Sequence, residues 1–331
     1  MMNTRTVLMA AAAILTIGAW SGTDARAQDV QLRANVPGNE EGIAFQSVQH
    51  FADIVKDKTG GAVSVKVFHS SALGDQPSSL ESLQVGILDL ATIETPITAV
   101  DPALGATALP YVFQDRAHIA KALDGEAGDW IKTRLADKGL RVVGFLEGGF
   151  RQITNNVRPI VKPEDLKGIK MRTPDSKLRI DIFNHYGANA SPLPFQELYS
   201  ALQTGVFDGQ ENPVIWAKST KFYEVQKYLS MTNHLYTVTY LLMSEKAFQK
   251  LPADVQQIIV EAGDEAVAKS IELGVAADQE IVSFLKEQGM AVNDADIPAF
   301  TAASEQIWVD WVAEQGSDAQ TLIDLIRNTA E

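Results

Sequence analysis

The stretch from Leu166 to Pro213, LKGIKMRTPDSKLRIDIFNHYGANASPLPFQELYSALQTGVFDGQENP, constrains the fold more than any other part of the chain. Its apolar run Ile169 to Thr173 reads as a short strand, carries Arg172 near its end and stops at Pro174. A helix-period segment follows and closes at Gly187. A second helix, Phe195 to Thr204, turns Leu198, Tyr199 and Leu202 to its buried side, with Gly205 as its stop. Open α/β sheets bind ligands in the crevice beyond the carboxyl ends of their strands, and Arg172 leaves the sheet there.

The first half follows the same plan. Val30 to Val36 reads as a strand broken by Pro37-Gly38-Asn39. A helical face of Ala44, Val48, Phe51, Ala52 and Val55 follows, with Asn39 as its expected N-cap and Gly60-Gly61 at its end. Val63, Val65 and Val67 alternate with polar residues as a strand does. The loop Leu73-Gly74-Asp75, a helix from Pro77 to Gln84 and the apolar strand Ile87 to Ile93 complete a second β-α-β unit. Strands alternating with helices in this way predict a mostly parallel sheet covered on both faces. Further on, Arg141 to Leu146 and Arg151 to Asn155 read as two strands, and a domain boundary is expected between them at Gly148-Gly149. Val238 to Met243 is an apolar strand able to return to the first domain. Leu251 to Gln288 keeps helical period over about 38 residues, roughly 57 Å as one helix, with Gly263 and Gly274 as expected points of bending.

The N-terminus stands outside this pattern. Met1 to Ala27 combines Arg5, an apolar run from Val7 to Trp20 and Ala25-Arg26-Ala27, the marks of a cleaved secretory signal. Its apolar run, about 14 residues, falls short of the roughly 20 that a membrane span requires. The 331 residues suffice for two domains, and the net charge of −14 argues against nucleic acid or anionic membrane as partners. With no cysteine, an exported chain has neither a disulfide framework nor thiolate metal sites. These features fit a bacterial periplasmic protein.

Four polar residues sit where a crevice would lie. Glu94, at a strand end before Thr95-Pro96, is either a solvated loop residue or an acceptor for ligand donors. Arg151 opens a strand and is either a solvated charge or, with Arg172, half of a paired guanidinium site for a carboxylate. Asn212, held extended by Pro213, is either a turn residue or a ligand contact. No G-x-S-x-G, Walker loop, H-E-x-x-H or C-x-x-C is present, and the five histidines are dispersed, so neither enzyme chemistry nor a metal or other cofactor is expected.

The segments LKGIKMRTP, GANASPLPFQELYSALQTGVFDGQENP, KFYEVQKYLSMTNH, FADIVKDKTGG, SSALGD, ALPYVF and GGFRQITNN resemble the solute-binding subunits of tripartite ATP-independent periplasmic (TRAP) transporters. The resemblance runs in order through nearly the whole chain after the leader. It implies an α/β fold of two lobes, joined by crossing strands and a long helix, that close on a ligand. The expected division is 28–148 plus about 238–277 for the first lobe, and 149–237 plus about 278–331 for the second. It further implies that Arg172 makes the main bidentate salt bridge to a substrate carboxylate, with Arg151 and Asn212 on the same group and Phe195 packed on the ligand. Asn35, Asp75 and Glu94 match first-lobe positions that read the polar remainder in sialic-acid-binding members. Those members carry an arginine shortly after the Glu94-like residue, whereas Pro96, Ile97 and Thr98 follow here. The expected ligand is therefore a hydroxylated monocarboxylate such as a uronate or aldonate, delivered to a membrane permease. A C4-dicarboxylate is the alternative, although Glu94 would repel its second carboxylate. A sensory module docking on a receptor would use the same ligand chemistry.

Overall fold

The computed structural model describes residues 30–330, so the signal-peptide expectation lies outside the described residues. In chain order the first elements are β1 (Val30–Asn35), α1 (Ile43–Lys58), β2 (Val63–Phe68), α2 (Gln76–Val85), β3 (Leu90–Ile93), α3 (Arg116–Leu123), α4 (Glu126–Ala136) and β4 (Leu140–Asn155). Next come β5 (Lys170–Thr173), α5 (Lys177–His185), β6 (Asn189–Pro192), α6 (Leu198–Gln203), β7 (Gly209–Pro213), α7 (Val214–Ser219), β8 (Tyr228–Met231) and β9 (Tyr236–Ser244). The chain ends with α8 (Glu245–Phe248), α9 (Ala253–Glu287), β10 (Ala291–Asp294), α10 (Ile297–Gln315) and α11 (Ser317–Arg327).

Two halves of sheet meet on β4. One half has the order β2-β1-β3-β9-β4, parallel through β1, β2 and β3 and antiparallel at β9. In the other half β4 lies between β7 and β8, with β5 and β6 beyond β7 and β10 beyond β8. The two strands expected around Gly148-Gly149 are thus one continuous strand. Its register against β9 shifts between Glu147 and Gly149, and Gly149 adopts φ +95°, a left-handed conformation that favours glycine. A bulge there lets one strand bend and change partners without breaking. Leu140 to Phe150 pairs with β9, and Arg151 to Asn155 pairs with β7.

Three buried clusters hold the layers. Leu32, Ala34 and Leu241 on the first half pack with Val48, Phe51 and Val55 of α1 and with Ile259, Ala262 and Ala266 of α9. Farther along α9, Ile281 and Leu285 enter a second cluster with Leu198 and Leu202 of α6 and Leu229 of β8. A single helix therefore contributes to the core of both halves. The third cluster covers the opposite face and includes α4, α5, α10 and α11.

Several local expectations are corrected. The N-cap of α1 is Gly42; Asn39 instead accepts from the Glu41 N–H at 3.2 Å and donates to the Ser219 carbonyl at 3.1 Å. The strand expected from Ile87 begins at Leu90, because Gly86 caps α2 in a left-handed conformation and leaves Ile87 exposed. Within α9 the glycines are close approaches rather than bends: a Cβ at Gly263 would collide with the Val143 carbonyl, and one at Gly274 with the Glu147 side chain. The C-terminal segment divides: β10 pairs with β8 and α10 packs on α5 in the second half, but α11 packs on the first. On α11, Asp318 pairs with Arg134 at 2.8 Å and the Ile326 carbonyl meets His118 Nε2 at 2.8 Å, so its apolar side is buried against α3 and α4.

Gly263→Ala should lower stability by about 1–3 kcal/mol, the usual effect of overpacking a close contact. A fall of several degrees in the thermal midpoint checks it, and an unchanged midpoint would show that α9 can move off β4 without penalty.

Candidate functional site

The carboxyl ends of the parallel strands face a cavity of about 300 Å³. Arg172, at the end of β5 between β6 and β7, is buried in its wall. Its Nε and Nη2 both donate to the Leu193 carbonyl, at 2.9 and 2.6 Å. A guanidinium has five N–H groups, so three have no partner among the described residues. No described carboxylate forms an ion pair with Arg172. Burial pulls its pKa down to about 10, against the opposing charge of Glu211, and the side chain stays cationic at neutral pH. A desolvated cation with free N–H groups is an anion receptor.

Arg151 also reaches the cavity, but most of its donors are committed. Its Nε bonds Glu211 Oε2, while Nη2 meets Glu211 Oε1 at 3.0 Å, the Glu211 carbonyl at 2.6 Å and Asn212 Oδ1 at 2.8 Å. Nη1 donates to Thr237 Oγ1 at 2.9 Å. Asn212, buried on β7 and also in the wall, donates to Gln210 Oε1 at 2.5 Å. The two arginines are thus unequal: Arg172 offers donors, whereas Arg151 is tied into the sheet beside it.

Glu211, Arg179 and His234 were not singled out in the sequence. Glu211 and His234 are fully buried, Arg179 nearly so, and the Glu211 carboxylate meets Arg179 Nη1 and His234 Nε2 at 3.2 Å each. Burial alone would raise the Glu211 carboxyl; the guanidiniums of Arg151 and Arg179 overcome it and hold the group well below the usual range. Burial lowers His234 below its ordinary value despite Glu211. A neutral imidazole donating from Nε2 to the carboxylate accepts at Nδ1 from Thr232 Oγ1, at 2.8 Å. One signal for Arg179 is present in the sequence: it lies three and four residues before Ile182 and Phe183, a cation on an apolar helical face.

The other candidates divide. Phe195 lines the cavity, meets Trp216 edge to face at 4.8 Å between centroids, and lies 6.0 Å from the Arg172 guanidinium carbon. Trp216, also in the wall, was missed. Glu94 is in the wall, with Oε1 accepting from Thr239 Oγ1 at 3.3 Å; burial raises its pKa, against the charge of Arg151. Asp75 lines the cavity and caps α2 by accepting from Ser78 N at 3.0 Å; the Ser78 hydroxyl bond at 2.6 Å, followed by this backbone bond, lowers its pKa. Asn35 lies behind the wall. Its amide donates to the Gly74 carbonyl and Ser79 Oγ, both at 2.8 Å, and accepts from Leu73 N at 3.3 Å. It secures the loop that carries Asp75 into place.

A bacterial extracellular solute-binding protein family 7 (DctP) profile matches residues 35–315. The chain belongs to this family. It is 34% identical over 286 residues to the 2,3-diketo-L-gulonate-binding periplasmic protein YiaO of Escherichia coli K12, covering 85% of this chain and 87% of that one. A TRAP periplasmic solute-binding protein from Sulfitobacter sp. NAS-14.1, solved with bound β-D-galacturonate, shares 32% identity and a TM-score of 0.87, covering 90% of this chain and 99% of that one. Another, from Sulfurospirillum deleyianum with bound succinate, shares 29% identity and a TM-score of 0.84 over 91% and 98%. As in the family, two α/β lobes flank the cavity. Among the described residues, no helix is long and apolar enough to cross a membrane.

The buried charge cluster sets a pH dependence. Both Glu211 and His234 have depressed pKa values, so the unfolded state takes up their protons first. Stability should fall as pH drops below about 6.5, and again below about 4.5, while the raised Glu94 acts in the opposite sense. Thermal midpoints between pH 8 and 4 check this. Replacing His234 by Gln should flatten the step between pH 7 and 5, and an unaltered step would assign it elsewhere.

Proposed function

We propose that this protein captures a hydroxylated monocarboxylate, a sugar acid such as a uronate or aldonate, and hands it to a TRAP-type permease in the periplasm. The observation that carries the reading is Arg172: a buried cation in the cavity wall with three N–H groups free and no ion-pair partner among the described residues. The ligand carboxylate takes those donors, with Arg151 and Asn212 beside it and Phe195 against its carbon skeleton. The far wall carries Asp75 and Glu94, and Asp175 also lines the cavity. Acceptors of this kind suit hydroxyl donors and oppose a second carboxylate. The lobes are taken to divide within β4 near Gly149, with the ligand drawing them together. The protein acts by binding and release, without turnover.

A dicarboxylate is the second reading, favoured by the succinate-bound relative. Thermal unfolding against a panel of D-galacturonate, D-glucuronate, D-galactonate and succinate separates the two. A ligand at about 100 times its dissociation constant adds roughly 2.7 kcal/mol, enough to shift the midpoint by several degrees. Shifts with sugar acids alone support the first reading, and a shift with succinate alone overturns it. Arg172→Ala should weaken binding of the responsive acid by about 100-fold or more, since each charge-assisted bond contributes roughly 1.5–3 kcal/mol. Wild-type affinity in that variant, measured by titration calorimetry, would remove Arg172 from the site.

A further inference from the structure

Gln76 stands on the first turn of α2, and its side-chain oxygen accepts the Glu94 backbone N–H at 2.7 Å. A backbone N–H only donates, so the amide must turn its oxygen that way. Its Nε2 then carries two donors and has no acceptor among the described residues. Gln76, Asp75 and Glu94 share one wall of the cavity. We propose that Gln76 is a specificity-determining ligand contact: Nε2 donates to an oxygen on the part of the ligand remote from its carboxylate, while Glu94 beside it accepts from a hydroxyl.

This rests on the sugar-acid reading and sharpens it. A donor next to an acceptor suits neighbouring hydroxyls, because each hydroxyl can both give and receive a hydrogen bond. A second carboxylate would satisfy Gln76 but face the Glu94 carboxyl. An unsubstituted chain would leave the Gln76 Nε2 donors and the remaining acceptor capacity of Glu94 unmet in a water-excluding site, which weakens binding. The pair therefore selects for hydroxylation, whereas the arginine end selects only for a carboxylate.

Gln76→Glu separates this role from a purely structural one. The new side chain keeps an oxygen for the Glu94 N–H, so the loop stays held, but an acceptor replaces the Nε2 donors. Gln76→Met removes the donors without adding charge. Titration calorimetry with D-galacturonate, D-glucuronate and D-galactonate should show both variants weakened by about tenfold, the loss of a ligand hydrogen bond, with Glu the weaker binder. The ligand-free midpoint of Gln76→Glu should stay at the wild-type value. Wild-type affinity in Gln76→Met, or a loss accompanied by a lowered midpoint in Gln76→Glu, overturns the assignment while leaving the sugar-acid reading in place. A wild-type protein that binds none of the three acids overturns both.

Discussion

Glu211 is the residue on which the site depends. Three guanidiniums are buried together, those of Arg151 and Arg172 in the cavity wall and that of Arg179 nearby across Glu211, and among the described carboxylates only Glu211 pairs with any of them. Like charges concentrated in a poorly solvated region repel one another strongly, and one carboxylate at their centre offsets part of that cost. The remainder is an unbalanced positive charge at the cavity wall. On the proposed reading a ligand carboxylate supplies the missing anion, so the cluster that Glu211 makes foldable is also receptive. Neutral His234 completes the arrangement by donating to Glu211 without adding a further cation.

The sheet connects this charge cluster to the opposite wall. Arg151 sits on β4 just past the bulge at Gly149, and Thr237 of β9 receives its Nη1. Two residues farther on, Thr239 donates to Glu94. One crossing strand thus touches both the arginine end and the acidic wall. On the outside, Ser270 of α9 accepts the Glu147 N–H at 2.8 Å, so the long helix is fastened to β4 next to the point where that strand changes partners.

Much of this was legible in the sequence, because periodicity and turn residues act locally. The alternating strands, the helix from Leu251 and the position of Arg172 at a strand end follow from patterns a few residues long. What was not legible depends on residues distant in the chain. The 60-residue separation between Arg151 and Glu211 hides their pairing, and Arg151 reads as a solvated charge or half of a paired receptor until β7 is placed beside β4. Asn35 shows the converse: the family resemblance implies a ligand contact there, but the Leu73 to Ser79 segment claims its hydrogen bonds. The glycines of α9 read as flexible because the sequence does not reveal that β4 lies against them.

On the proposed reading a ligand draws the lobes together, and the direct contacts that already cross the cavity are modest. Asn39 meets the Ser219 carbonyl at 3.1 Å, Gln196 meets Ser71 Oγ at 2.6 Å, and Gly38 leaves room for the Trp216 ring. The Gln196 bond is exposed to competing water and the Asn39 bond is partly buried, and each contributes only about 0.5–1.5 kcal/mol net. Contacts of this strength oppose the lobe separation proposed above only weakly. A ligand that joins the arginines on one side to the acidic wall on the other adds its binding energy only to the closed arrangement, and the equilibrium moves by that difference. An acid that engages the arginines alone binds both arrangements alike and leaves the lobes as they were. On this reading recognition of the distal hydroxyls and closure of the lobes are one event, which would tie the identity of the cargo to the shape presented to a transport partner.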